Sequence, residues 1–308
     1  MNLLSIGTVA FDAIETPFGQ TDKILGGAAT YISLAAANYV KNPRIVSVVG
    51  SDFPEEYIKM LNKKGIDTRG LQIKKDGKTF FWSGKYHNDM NTRDTLDTQL
   101  NVLEDFDPII PEEYQGVDYL MLGNLSPIIQ RTVIERLKNR PKLIVLDTMN
   151  FWMDIMMEEL KETLQLIDVI SINDEEARQL SGEYSLVKAA QTIMTMGPKY
   201  VIIKKGEHGA LLFYNKEVFF APALPLRDVF DPTGAGDTFA GGFIGYLAQT
   251  DNISFENMKR AIIHGSAMAS FCVEKFGTER IENLNSKDIE NRLKAFVDLV
   301  QFDITLED

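Results

Sequence analysis

Short apolar runs alternate with helix-patterned segments along most of this chain, and that alternation restricts the fold more than any other feature. Leu3–Ile6, Arg44–Val48, Tyr119–Leu122, Leu143–Leu146, Val169–Ile172 and Tyr200–Ile203 are each short and rich in Val, Ile or Leu. Runs without a polar face suit strands buried on both sides. Between them, Ala28–Tyr39, Glu55–Lys64, Ile128–Leu137, Ile155–Leu166 and Leu186–Met196 carry helical patterns, and Phe255–Val273 and Ser286–Phe302 extend them toward the C-terminus. Strands that alternate with helices build βαβ units. The expected fold is therefore α/β: a three-layer, Rossmann-like core with a mostly parallel central sheet. A length of 308 residues suits one domain over 1–308.

One region breaks the rhythm. From about Leu71 to Val102 the sequence is polar and β-prone. Thr79–Tyr86 reads as a strand, with Leu71–Lys75 as its hairpin partner across Asp76-Gly77, a tight-turn dipeptide. Phe11–Ile24 is also not helical in pattern. These pieces, about 11–25 and 70–103, are expected to form a small β-sheet lid inserted in the core. A lid of this kind excludes water from a reaction.

Charge and cysteine usage narrow the function. Lys plus Arg is 32 against 44 Asp plus Glu, a formal net charge of −12, which disfavours nucleic acid or an anionic membrane surface as partner. The single cysteine, Cys272, lies in an apolar run and can form no internal disulfide. No stretch approaches a membrane span, and no leader-like segment opens the chain, so the expected location is cytoplasmic.

The stretch most informative about chemistry is Asp231-Pro232-Thr233-Gly234-Ala235-Gly236-Asp237, followed by the apolar helical pattern of Phe239, Phe243, Tyr246 and Leu247. A glycine-rich turn leads directly into a helix. Free N–H groups and the positive end of the helix dipole converge there, which makes an anion site. Asp237 sits at that site. It reads either as an N-cap or as a general base that accepts the proton of an attacking hydroxyl in phosphoryl transfer. Other motifs are absent. There is no Walker-type loop, no metalloprotease helix and no Gly-x-Ser-x-Gly, and Phe239 stands where a dinucleotide loop needs its third glycine.

Asp231–Asp237 resembles the C-terminal signature of the ribokinase-like (PfkB) carbohydrate kinase family, an Asp-x-Thr-Gly-Ala-Gly-Asp core. The resemblance implies that Asp237 is the base and that Gly234, Ala235 and Gly236 form the anion hole. Further matches follow in order. Gly26-Gly27, ahead of a small-residue helix, resembles the N-terminal diglycine signature that meets substrate hydroxyls, and Asp12 resembles the sugar-binding aspartate. Asn173-Asp174-Glu175-Glu176 resembles the Asn-x-x-Glu motif, which makes Asn173 and Glu176 the residues expected to organise magnesium through water. Lys205 and Gly206 fall at the family's nucleotide loop, with Thr233 and Gly236 completing the expected ATP contacts; the alternative is a hairpin between Val201–Lys204 and Ala210–Tyr214. Asp231 and Thr233 match part of a monovalent-cation (K+) site found in some members, with Phe276-Gly277-Thr278 as the turn to complete it. Tyr31 departs from the pattern, standing where the family has Asn.

The implied activity is ATP- and Mg2+-dependent phosphorylation of an alcohol group on a small sugar-like substrate, with a nucleoside as the alternative. Tyr31 and Asn150 are further expected substrate contacts, Asn150 because it follows a strand end, as does Asp147. Phe11, Phe81, Trp82, Tyr86 and Tyr31 are candidates for a stacking wall, and Lys85 and Arg93 are candidate lid cations for a phosphorylated sugar. Phe80 and Trp82 suggest a homodimer through the lid. Two other classes compete: a ligand sensor that keeps the fold, and a nicotinamide oxidoreductase. The intact loop speaks against the first, the missing third glycine against the second.

Overall fold

Residues 1–301 are described by the structure, a computed structural model. Along the chain run β1 (Leu3–Ile6), β2 (Ala10–Thr16), β3 (Gly19–Gln20), β4 (Ile24–Gly26), α1 (Ala28–Ala36), β5 (Arg44–Gly50), α2 (Glu55–Lys63), β6 (Asp67–Lys74), β7 (Phe81–Tyr86) and β8 (Arg93–Gln99). Then come β9 (Tyr119–Leu122), α3 (Pro127–Arg136), β10 (Leu143–Asp147), α4 (Asn150–Ile155), α5 (Met157–Leu164), β11 (Val169–Asn173), α6 (Asp174–Ser181), α7 (Leu186–Met194) and β12 (Tyr200–Lys204). The last part contains β13 (Ala210–Tyr214), β14 (Glu217–Ala221), α8 (Ala235–Thr250), α9 (Phe255–Cys272), α10 (Glu279–Glu282) and α11 (Ser286–Val300).

The large sheet has nine strands in the order β14-β13-β12-β11-β10-β9-β1-β5-β6. From β12 to β6 all neighbours are parallel, and β13 and β14 add an antiparallel edge. Strand parity sorts the side chains into two cores. Leu4, Leu120, Ile144, Ile170 and Val201 meet Val133, Leu160 and Ile193 of α3, α5 and α7. Tyr119, Met121, Val145 and Ile202 meet Ile32, Phe243 and Ile262 of α1, α8 and α9. Both faces are covered, as a parallel sheet requires.

The second sheet holds β3-β2-β7-β8, with β4 also paired to β2. One expectation is corrected here. Residues 71–75 do not form a hairpin with β7; β6 pairs parallel with β5 at the edge of the large sheet, and β7 pairs with β2 and β8. Asp76-Gly77 is not a hairpin turn but the crossing between sheets. Gly77 O accepts Ser51 N–H, and a β-carbon on Gly50 would lie 2.3 Å from that oxygen, so the backbones pass too closely for a side chain. The predicted helix Ile155–Leu166 is split into α4 and α5 at Met156, whose φ of −142° is not helical.

Candidate active site

β10, β11 and β12 end side by side in Asp147, Asn173 and Lys204, with Asn173 and Lys204 direct register partners. Ligands of open α/β sheets sit beyond such carboxyl ends. The N-terminus of α8 faces the same place. Its N-cap is Gly234, in the left-handed conformation with φ 73°, and no side chain caps it. The N–H of Ala235, one of the three residues expected to form the anion hole, donates to Pro232 O at 3.1 Å within this turn. The N–H groups of Gly234 and Gly236 have no partner among the described residues. A β-carbon on Gly234 would lie 2.5 Å from the Tyr31 ring, so only glycine fits this turn.

Tyr31 itself is buried, with 1% exposure, beneath that glycine. It therefore packs under the loop, and its hydroxyl is buried without a partner among the described residues. Asp231 fixes the loop from the other end: its carboxylate accepts the N–H of Thr233 and of Gly277, each at 2.8 Å. Asp231, Thr233 and the turn at Gly277 are thus brought together, with both carboxylate oxygens already engaged by amides.

Asp237 lies in the first turn of α8, and its Oδ1 is buried with no hydrogen-bond partner among the described residues. Burial pushes its carboxyl up to about 7; the charge of Asp147 adds to this, and Lys204 and Arg93 oppose it. Asp12, buried on β2, is also pushed up to about 7, by burial and then by Asp231 and Asp237. The diglycine packs on it: a β-carbon on Gly26 would collide with Asp12 Oδ2, and the backbone of Gly27 opposes the upward shift of the carboxyl.

The Asn-x-x-Glu motif forms a capping box on α6. Glu176 N–H donates to Asn173 Oδ1 at 2.8 Å, and Asn173 N–H donates to Glu176 Oε2 at 2.7 Å. The Asn173 side-chain oxygen is therefore occupied by the cap, while Glu176 Oε1 is not. Burial raises Glu176 above the usual carboxylate range, with Lys204 pulling it down. Among the described residues no cluster of three metal-ligating side chains occurs. One free carboxylate oxygen fits magnesium that arrives with phosphates and keeps its waters, rather than an all-protein cage.

A cavity of about 410 Å³ opens beside α8. Leu224, Leu226, Val229 and Val273 give it an apolar wall, and Lys204, Gly206 and Gly236 form its polar end. Lys205, the lysine expected there, is not in the lining; its N–H closes the β12–β13 turn on Gly209 O. The expected hairpin and the expected loop coexist, since β12 and β13 are antiparallel partners. Lys204 was missed because β12 runs one residue further than its apolar core. Alternation from Ile202, which faces α8 and α9, would have placed it on the site side.

Two more expectations change. Asn150 opens α4, and its amide donates to Gln179 Oε1, so it turns toward α6; Asp147 is the residue of that strand end that faces Lys204. The aromatic residues of the small sheet divide between its faces. Asp12 and Trp82 are register partners and share one face, while Phe11 and Phe81 pair on the other, where Phe11 packs on Phe53. Lys85 also lies on that far face, bound to Glu15 at 2.7 Å. Tyr86 reaches the α8 loop: Thr233 Oγ1 donates to its hydroxyl at 3.2 Å.

An α/β core with an uncapped, glycine-opened helix, an unpartnered buried carboxylate and an adjoining apolar cavity defines a phosphotransferase site. Residues 2–284 match the family described as pfkB family carbohydrate kinase, and the chain belongs to that family. It is a ribokinase-family kinase of the sugar and nucleoside group. It is 31% identical to the cytidine kinase of Thermococcus kodakarensis over 250 residues, covering 79% of this chain and 87% of that protein. The nucleoside kinase of Methanothermobacter thermautotrophicus is 26% identical over 325 residues, covering 96% of this chain and 95% of that protein. The crystal structure of the Methanocaldococcus jannaschii nucleoside kinase superposes with a TM-score of 0.77 at 20% identity, covering 96% of this chain and 98% of that one. An Escherichia coli protein of the same fold, solved with ATP and Mg2+, has a TM-score of 0.80 at 21% identity, covering 95% of this chain and 99% of that one. No helix among the described residues is long and apolar enough to cross a membrane.

Proposed function

We propose that this chain is an ATP-dependent nucleoside kinase that phosphorylates a primary hydroxyl of the ribose. The observation that carries this reading is the register pairing of Asp12 with Trp82 on one face of the small sheet. A carboxylate for vicinal hydroxyls then stands beside an aromatic plane for a base. The Trp82 ring occupies the space over Gly84, where a β-carbon would sit 2.2 Å from it. Stacking on an aromatic side chain contributes about 1–3 kcal/mol per base. The relatives named cytidine kinase and nucleoside kinase support the same choice.

In this reading Asp12 and the Gly26-Gly27 turn hold the vicinal hydroxyls of the ribose, and the primary hydroxyl presents its proton to Asp237 Oδ1. The hydroxyl oxygen forms a bond to the γ-phosphorus as the bond to the β-γ bridging oxygen breaks, and Asp237 keeps the proton. The N–H groups of Gly234 and Gly236, with the α8 dipole, stabilise the charge on the transferring group. Adenine fits the apolar wall of the cavity at Leu224, Leu226 and Val273. Glu176 would hold magnesium through water, and bound magnesium offsets phosphate charge.

ADP release with Mg-ATP tests this across cytidine, uridine, adenosine, inosine, ribose, fructose and fructose 6-phosphate. The reading expects one or more nucleosides to exceed every free sugar and sugar phosphate in kcat/KM by at least about tenfold, and Trp82→Ala to erase most of that margin. A sugar or sugar phosphate preferred over every nucleoside would contradict it.

A further inference from the structure

We infer that Lys204 is a catalytic residue, whose ammonium group leaves Asp147 to grip the transferring phosphoryl group from the sheet side, opposite the amides that open α8. This deepens the phosphotransfer reading and rests on it.

Three observations place the lysine there. Lys204 is the last residue of β12, on the face that meets α8 and α9, and it lines the cavity. Its Nζ lies 3.1 Å from the point a β-carbon on Gly236 would occupy, directly over the start of the helix. Its side chain is 17% exposed, yet among the described residues it makes a single bond, to Asp147 Oδ1 at 3.3 Å.

That bond is long for a charge-assisted hydrogen bond, which normally spans about 2.7–2.9 Å. An ammonium has three donors, so two are left without a partner in a place where burial makes that costly. A lysine kept only to neutralise Asp147 would be expected to close the pair. This one is held loosely, between Asp147 and Gly236, whose N–H has no partner among the described residues. A tetrahedral oxyanion placed there meets donors from both sides. Burial on its own would lower the ammonium pKa, but Asp147, Glu176 and Asp237 outweigh it and keep Lys204 charged. Lys204 transfers no proton: the acceptor O–P bond forms, the bridging O–P bond breaks, the proton goes to Asp237 and the charge ends on ADP.

The test uses the full chain as Lys204→Gln, Lys204→Arg and the double variant Lys204→Gln/Asp147→Asn. Calorimetry compares ADP with a non-hydrolysable ATP analogue, and ADP release gives kcat. If Lys204 holds the γ-phosphoryl group, Lys204→Gln loses the preference for the analogue over ADP, keeps ADP affinity within about threefold, and loses about 100-fold or more in kcat. Lys204→Arg keeps part of both. The double variant, relieved of an unpaired buried carboxylate, unfolds near the wild-type temperature and stays inactive. Recovery of turnover in the double variant would overturn the inference, because Lys204 would then serve only Asp147. So would an unchanged analogue-to-ADP ratio in Lys204→Gln. If wild type released no ADP with any acceptor, the kinase reading would fall, while the two-nucleotide comparison would still report on Lys204.

Discussion

Thr233 Oγ1, in the loop that opens α8, donates to the hydroxyl of Tyr86 on the small sheet at 3.2 Å, and this bond ties that sheet to the loop across 147 residues of sequence. Tyr86 is buried, so the contact is shielded from water. A neutral bond of this kind contributes about 0.5–1.5 kcal/mol. Tyr86→Phe should therefore raise the acceptor KM by about two- to tenfold and leave the unfolding temperature within a few degrees of wild type. Steady-state kinetics with the best acceptor checks this.

Tyr31 and Gly234 give opposite predictions from one contact. Tyr31→Phe removes a buried hydroxyl with no partner, so it should leave stability unchanged or raise it by about 1 kcal/mol, with kcat within about threefold. Gly234→Ala places a β-carbon 2.5 Å from the same ring at φ 73°, and should lower stability by about 1–3 kcal/mol and kcat by at least about 100-fold. Denaturant unfolding and ADP release separate the two. A large loss of turnover in Tyr31→Phe would restore a substrate role for its hydroxyl.

The pH dependence has two signs. Asp237, pushed up to about 7 by burial and Asp147 against Lys204 and Arg93, must be unprotonated to act as a base. kcat/KM should therefore rise with pH through an apparent pKa near that value and then level off. Stability should run the other way. Asp12 and Asp237 have folded pKa values above their unfolded ones, so the folded chain binds more protons. Their contribution is fully present below about pH 4 and is lost as pH rises through about 7. The unfolding temperature of the nucleotide-free protein should fall between about pH 5 and about pH 8, and Asp12→Asn should flatten that fall. A rising unfolding temperature over that interval would show these carboxyls to be ordinary.

Much of this architecture was legible because parallel strands buried on both faces leave an unmistakable apolar run. β1 and β9 coincide with the expected segments, and β5, β10, β11 and β12 differ only at their C-terminal ends. Those ends were the hard part, and they hold the site. Asp147, Asn173 and Lys204 are polar residues that extend strands whose apolar core stops one residue earlier. Composition reads them as loop; only pairing with the neighbouring strand shows them as sheet. The small sheet was harder, because its partners come from distant segments. β7 pairs with β2, about seventy residues earlier, and no local signal distinguishes that from a hairpin with 71–75. The loop Asp231–Asp237 was legible because its glycines are required by one tight turn, but which amides remain free depends on Pro232, which engages Ala235.

Glu176 carries a prediction of its own. Its Oε2 closes the cap of α6 and its Oε1 is open, so Glu176→Gln keeps a hydrogen-bonding group for Asn173 N–H while removing the charge. The Mg2+ concentration that gives half-maximal rate should rise by about 10–100-fold, with stability nearly unchanged. An unchanged magnesium profile would remove Glu176 from metal binding.

The most direct measurement is turnover of Asp237→Asn beside wild type, with nucleotide affinity measured on the same samples. A base at the head of α8 predicts that kcat falls by at least about 1,000-fold while ADP binds within a few-fold of wild type. Turnover within about tenfold of wild type, from a variant that still binds ADP, would contradict the assignment of Asp237 and the reaction built on it.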